Sequence, residues 1–274
     1  MDARSNNQHA AKADLYLCLA QAFMPPMTSE HAAAMATDLA ADLRDIDQEV
    51  GYGLCAQIDA FVRDMHAVGG QEALLVLYSQ LFLAPPRKVH LNVATYLDGA
   101  FNGGTVHELE ECYLACGLAR SESFPDLADH ITVQLEFIAH LFGNRSAMAP
   151  GRFIAQYPER WIHPLLGDTE RVQAELGLAA NPYRHLLTML ACAIEHDTEL
   201  PDGALTPNER RQRALAMERH KRAEREISAQ ELKEIRAKLA AHGLSTEHLD
   251  LEAGSDNDPW QGWQAMTPPS PRKA

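Results

Sequence analysis

The sequence predicts an all-α fold: a compact multi-helix bundle, then a charged helical extension and a disordered tail. Three observations carry this reading. Helix start and stop signals recur through the first 200 positions. No series of alternating strands is present, because short apolar stretches such as Leu74–Leu77 sit inside longer helical periods. Hydrophobic residues make up 46% of the 274 and charged residues 23%, enough for a real core.

Taken in order, Ala11 to Phe23 reads as an apolar-rich helix stopped by Pro25-Pro26, after a flexible N-terminus over 1–10. Ser29 reads as the N-cap of a helix to about Asp47, and a third helix runs from about Tyr52 to Val68, where Gly69-Gly70 stops it. A fourth covers Glu72 to Leu83, before Pro85-Pro86. Thr105 and Glu108 have the spacing of a capping box, and that helix closes at Gly117. Asp129 reads as the N-cap of a helix to about Phe142. Asp168 and Gly177 bracket a short helix, and Asn181-Pro182 opens one that ends near His196. The bundle therefore spans 11–196, with roughly eight to ten helices.

Residues 197–207 read as a linker. Residues 208–243 form a charged helical extension opened by Thr206-Pro207-Asn208-Glu209, with a thin apolar stripe of Leu232, Ile235 and Leu239. Residues 244–274 read as a disordered tail, with Trp260 and Trp263 as a docking point.

Charge narrows the function. Lys+Arg number 24 against 38 Asp+Glu, a formal net charge of -14. Residues 1–199 hold 12 basic and 26 acidic side chains, whereas the remainder holds 12 of each, so the bundle carries the imbalance. That excludes a general nucleic-acid binder and favours a cationic partner. The N-terminus lacks a secretory pattern, no run has the ~18 apolar residues of a membrane span, and five scattered cysteines fit a reducing compartment. The expected localisation is cytoplasmic, with no stable membrane insertion.

Enzyme motifs are missing. There is no H-E-x-x-H, G-x-S-x-G or G-x-x-x-x-G-K-[ST], and no Glu-x-x-His for a di-iron bundle. Cys112 and Cys116, one turn apart, read as small buried hydrophobes, and His196-Asp197 as an ordinary helix end. No cofactor or metal is expected.

Two segments are more specific than core packing requires. In Tyr78-Ser-Gln-Leu-Phe82-Leu-Ala-Pro-Pro86, Tyr78, Leu81 and Phe82 fall on one helical face and the prolines turn the chain away. In Phe124-Pro-Asp-Leu-Ala-Asp-His-Ile131, followed by Gln134-Leu-Glu-Phe137, Asp129 and His130 stand at a helix start. Together they suggest a polar spot beside an apolar groove. The plain alternatives are core packing for the aromatic face, capping for Asp129, a structural histidine for His130, turn-fixing for Tyr96 and Asp98, and fold support for Glu136.

On these residues the chain resembles the TorD/DmsD/NarJ chaperones, the redox enzyme maturation proteins. The resemblance rests on Tyr78-x-x-Leu81-Phe82 with its prolines, on Tyr96-Leu-Asp-Gly99 and the helix ending Tyr113-x-x-x-Gly117-Leu118, and on Asp129-His130-x-x-x-x-Leu135-Glu136-Phe137. It covers about residues 11–196. The Pro85–Asn92 stretch is most similar to the subset serving type II enzymes of the dimethyl sulfoxide reductase family. The resemblance implies a TorD-like, non-catalytic cytoplasmic chaperone, monomer or homodimer. It would bind the catalytic subunit of a molybdenum oxidoreductase, at its twin-arginine leader or as apo-subunit, assist cofactor insertion and prevent premature export. Client-binding residues carry over to Tyr78, Leu81, Phe82, Pro85, Tyr96, Asp129, His130 and Glu136. Two positions depart from the family pattern: Tyr78 where Trp is frequent, and Ala128 where Pro is common. Two rival readings differ in class. One is a metal-dependent hydrolase using Asp129, His130, Glu136 and His140; the other is a scaffold acting through residues 206–243.

Overall fold

The computed structural model describes residues 3–101, 103–119, 126–144 and 148–199. Among these, eleven α-helices and one π-helical turn form a helical bundle; no strand is present, and one antiparallel bridge joins Asn92 to His130. No described helix is long and apolar enough to cross a membrane. The expected linker beyond Glu199, the charged extension and the tail lie outside the described residues.

α1 (Ala3–Ala22) begins well before the expected start at Ala11. Nothing between Ala3 and Ala11 breaks a helix, and the His9 ring packs 5.8 Å from that of Phe142, so tertiary contact holds the polar first turns that read as flexible. The single helix expected from Ser29 is two: α2 (Ser29–Ala36), capped by Thr28 through the His31 N–H, and α3 (Asp38–Val50). They part at Thr37, whose hydroxyl donates to the Ala33 carbonyl at 2.9 Å and to Asp38 at 2.8 Å, offering the backbone an alternative to the helix.

α4 (Cys55–Val68) starts later than Tyr52 because buried Asp47 collects the loop, accepting from the N–H groups of Tyr52 (3.1 Å) and Leu54 (2.8 Å). α5 (Gln71–Tyr78) runs into the π-helical turn Ser79–Leu83, where the Ala84 N–H donates to the Ser79 carbonyl at 2.8 Å. α6 (Ala94–Asp98) and α9 (Pro150–Gln156) carry no start signal strong enough to predict. α10 (Pro158–Glu175) opens at Pro158, so Asp168 lies mid-helix, paired with Arg171, instead of starting a short helix.

α7 (Gly104–Ala115) does not use the expected capping box. Asp98 reaches across the turn and accepts from both the Thr105 N–H (2.9 Å) and its hydroxyl (2.7 Å), replacing Glu108. A Cβ on Gly103 would sit 2.2 Å from that carboxylate, so the turn requires glycine. α8 (Ile131–Gly143) is the central helix, with Ile131, Leu135 and Ile138 fully buried. It packs along α1, where the Tyr16 ring stacks on Phe142 at 5.8 Å and the Thr132 hydroxyl donates to the Ala20 carbonyl at 3.4 Å. α11 (Pro182–Asp197), capped by Asn181 as expected, packs against α4 and α10. Its last residue, Asp197, is buried and accepts from Tyr16 Oη at 3.0 Å, Tyr52 Oη at 2.5 Å and Lys12 Nζ at 2.5 Å, while His196 stacks on Tyr52. The His-Asp pair thus ties the last described helix to the first.

Candidate functional site

The Tyr78 face is turned inward. Tyr78, Leu81 and Phe82 are 2%, 2% and 3% exposed, so they form core and do not line an open groove. The Tyr78 hydroxyl donates to the Phe23 carbonyl at 3.2 Å, and the rings of Tyr78 and Phe82 meet edge to face at 5.0 Å. Tyr183 of α11 closes the cluster, 5.6 Å from Tyr78 and 5.3 Å from Phe82. Burial holds the hydroxyls of Tyr78 and Tyr183 protonated, and among the described residues the Tyr183 hydroxyl has no hydrogen-bond partner. The π-helical turn leaves Leu83 46% exposed, and Pro85 is also exposed.

Asp129 is fully buried and does not cap α8. Its carboxylate accepts from the Ala94 N–H at 3.0 Å, at the start of α6, and from Asn92 Nδ2 at 3.2 Å. Its carbonyl accepts from the Val93 N–H at 3.2 Å and from Gln134 Nε2 at 3.1 Å, and the Gln134 oxygen takes the Trp161 indole N–H at 3.1 Å. A carboxylate from one segment therefore caps a helix in another. Burial raises the Asp129 carboxyl, and the bonds from Ala94 and Asn92 pull it back. His130 caps α8 instead, its Nδ1 accepting from the Thr132 N–H at 3.3 Å. It is 6% exposed, and burial depresses its pKa against the opposing pull of Asp126.

Asn92 and Asp126 belong to this node although sequence reasoning assigned them no role. Asn92 Nδ2 donates to Asp126 at 2.8 Å, and the Leu91 carbonyl accepts from the Ile131 N–H at 2.8 Å. Their signal was present, since both lie inside the quoted Pro85–Asn92 and Pro-Asp segments. The node pins the inner end of the 84–93 loop. The half-buried Tyr96 pins it again, its hydroxyl accepting from the His90 N–H at 3.1 Å. Asp126 also acts electrostatically on Tyr78, which places the aromatic cluster beside the 126–130 turn. Glu136, on the exposed side of α8, has its carboxyl raised by partial desolvation; no described bond joins it to the others. Phe124 and Pro125 lie outside the described residues.

The hydrolase arrangement is not assembled. Among the described residues no three His, Cys, Asp or Glu side chains converge as metal ligands. The Asp129 carboxylate is spent on Asn92 and Ala94, and His140 Nδ1 meets Asn144 at 3.1 Å. A cleft where α1 meets α2 and α3, lined by Leu17 of α1, His31 and Met35 of α2, and Asp38 and Asp42 of α3, is a second candidate surface that sequence reasoning missed. Its signal was the recurrence of acidic residues at 38, 42, 45 and 49.

Comparison with known proteins bears on residues 32–165, which match the family model described as nitrate reductase delta subunit. That span contains all eight site residues predicted from sequence. The chain is also similar to the chaperone protein TorD of Vibrio cholerae serotype O1, strains M66-2 and ATCC 39315 / El Tor Inaba N16961. Each is 27% identical over 139 residues, covering 47% of this chain and 61% of the relative.

Proposed function

Because the chain belongs to the TorD/DmsD/NarJ family of molybdoenzyme chaperones, we propose that it is a non-catalytic cytoplasmic chaperone. On this reading it holds the catalytic subunit of a molybdenum oxidoreductase of the dimethyl sulfoxide reductase family until the cofactor is inserted, and delays export through the twin-arginine leader. The observation that carries the proposal is the match over residues 32–165, the stretch that contains the Asp129 node and the loop it braces.

The geometry supports a division of labour. Exposed Pro85 and Glu136 and half-buried Tyr96 are available for client contact. Tyr78, Leu81, Phe82, Asp129 and His130 act from beneath, as positioning residues. The loop presents Leu83, Pro85, Arg87 and Lys88 on a base that Asp129 and Tyr96 hold still. A rigid base lowers the ordering cost of binding. Micromolar affinity, about -8 kcal/mol, would hold a precursor and still release it.

The test is affinity purification of the tagged full chain from its own host's cytoplasm, grown so that molybdoenzymes are expressed, with mass spectrometry of what co-purifies. Recovery of one molybdoenzyme catalytic subunit supports the proposal and identifies the client. Recovery of none refutes it.

A further inference from the structure

α10 borders the 84–93 loop on both sides. It packs against the π-helical turn that leads into the loop and against α6, which follows it. Two of its carboxylates also act on the loop. Glu175 pairs with Lys88 at 2.5 Å, in the exposed part of the loop. Asp168 acts on the Tyr96 hydroxyl through charge and hydrogen bonding, and that hydroxyl accepts from the His90 N–H at 3.1 Å. The His90 and Tyr96 rings meet edge to face at 6.3 Å. Arg171, one turn on, pairs with Asp168. Asp168, Arg171 and Glu175 share one face of α10, with the two carboxylates about 10 Å apart along the helix axis.

α10 does not need these carboxylates for its own stability. Asp168 stands well inside the helix, where neither capping nor the helix dipole gives it a role. Glu175 is the last helical residue, where the dipole disfavours an anion. Its pair with Lys88 is exposed, and exposed ion pairs contribute little to global stability. What the two groups share is the loop. Val89 is fully buried, whereas residues 84–88 are exposed. Holding Lys88 and His90, on either side of Val89, fixes the direction in which the exposed segment leaves the core. The Asp129 node secures Asn92 and Ala94 further along.

We propose that Asp168 and Glu175 are positioning residues, which set the pose in which segment 84–88 meets the client subunit. Asp168 acts through Tyr96 on His90, and Glu175 acts directly on Lys88. Releasing either hold leaves more of the loop to be ordered on binding, and the client is retained less well. This deepens the chaperone reading and rests on it for what the loop meets.

The experiment measures amide hydrogen exchange, resolved to single residues, in the full chain. Alongside it, the amount of molybdoenzyme catalytic subunit that co-purifies with each tagged variant from its own host is measured. The His90 amide is the reporter. Its exchange should quicken about tenfold in Tyr96→Phe and about threefold or more in Asp168→Ala, and stay near wild type in Asp168→Asn, which keeps an acceptor for the hydroxyl. Glu175→Lys should quicken it about threefold, and adding Lys88→Glu to that variant should restore it. Glu170→Gln, on the same helix but paired toward Arg184 of α11, should leave it unchanged. Recovered subunit should fall about threefold in Asp168→Ala and return in Asp168→Asn, with thermal midpoints within about 3 °C of wild type. Unchanged His90 exchange in either Asp168→Ala or Glu175→Lys overturns the hold of α10 on the loop. Faster exchange with undiminished subunit recovery overturns the positioning role and leaves a purely structural contact. If wild type itself recovers no such subunit while the exchange differences persist, the chaperone reading falls, and with it the client part of the proposal, whereas the hold of α10 on the loop stands.

Discussion

Replacing Asp129 by alanine separates a structural brace from a client-contact residue. The substitution leaves the Ala94 N–H without its acceptor and removes one of the two acceptors of Asn92 Nδ2, which keeps Asp126. Hydrogen bonds to a charged group contribute about 1.5–3 kcal/mol each. Against that stands the cost of burying the carboxylate, visible in its raised pKa. The net expectation is a loss of about 2–4 kcal/mol, with the middle of that range favoured because an orphaned buried N–H is itself costly. For a cooperative unit of this size each kcal/mol shifts Tm by about 2–4 °C, so Tm should fall by roughly 5–15 °C. Asp129→Asn should lie between: it keeps one oxygen for the Ala94 N–H but turns an amide N–H₂ toward that of Asn92. The assay is thermal unfolding of the full chain followed by circular dichroism at 222 nm. An Asp129→Ala protein that melts within 2 °C of wild type would refute the bracing role and return Asp129 to a surface function.

Other perturbations follow from the same packing. His130 and His185 both have pKa values depressed by burial, against the pull of Asp126 and Asp64 respectively. Their neutral forms therefore favour the fold, and that contribution, complete above the unfolded value of about 6.5, is lost as pH falls below it. Urea midpoints should drop between pH 7 and pH 5, and His130→Gln should flatten the drop. Asp197→Ala strands the buried Tyr16 hydroxyl, the Tyr52 hydroxyl and the Lys12 ammonium, and should cost about 3 kcal/mol in urea titration. Gly103→Ala drives a methyl into Asp98 and should remove the Thr105 cap at a cost of about 1–2 kcal/mol, readable as faster amide exchange at the start of α7.

The linear chain named candidate residues but not the surface they would form. All eight predicted residues lie in the stretch that matches the family model. Their exposure was not legible. Tyr78, Leu81 and Phe82 share a helical face, but periodicity alone does not say whether such a face meets solvent or another helix. Here α11 supplies Tyr183, from more than a hundred positions downstream, and the face closes. The helix start at Asp129 was read correctly to within two residues, yet the capping role passed to His130. A carboxylate at that position can serve its own helix or a neighbouring one, and only the approach of Ala94 decides between them.

Local chemistry is what the linear chain carried reliably: the all-α class, the glycine ends at Gly69, Gly117 and Gly177, the Asn181 cap, the acidic balance and the motifs of the family resemblance. Each depends on residues within one or two turns of one another, where 3.6-residue periodicity and backbone capping operate. Tertiary structure decided the rest. It assigned Asp129 to Ala94, made His196-Asp197 a clasp between the first and last described helices, and left a cleft open where α1 meets α2 and α3 beside an acidic stripe. These choices turn on which buried donors and acceptors meet across long sequence separations. Burial makes an unpaired polar group costly, so partners are selected by packing and not by proximity along the chain.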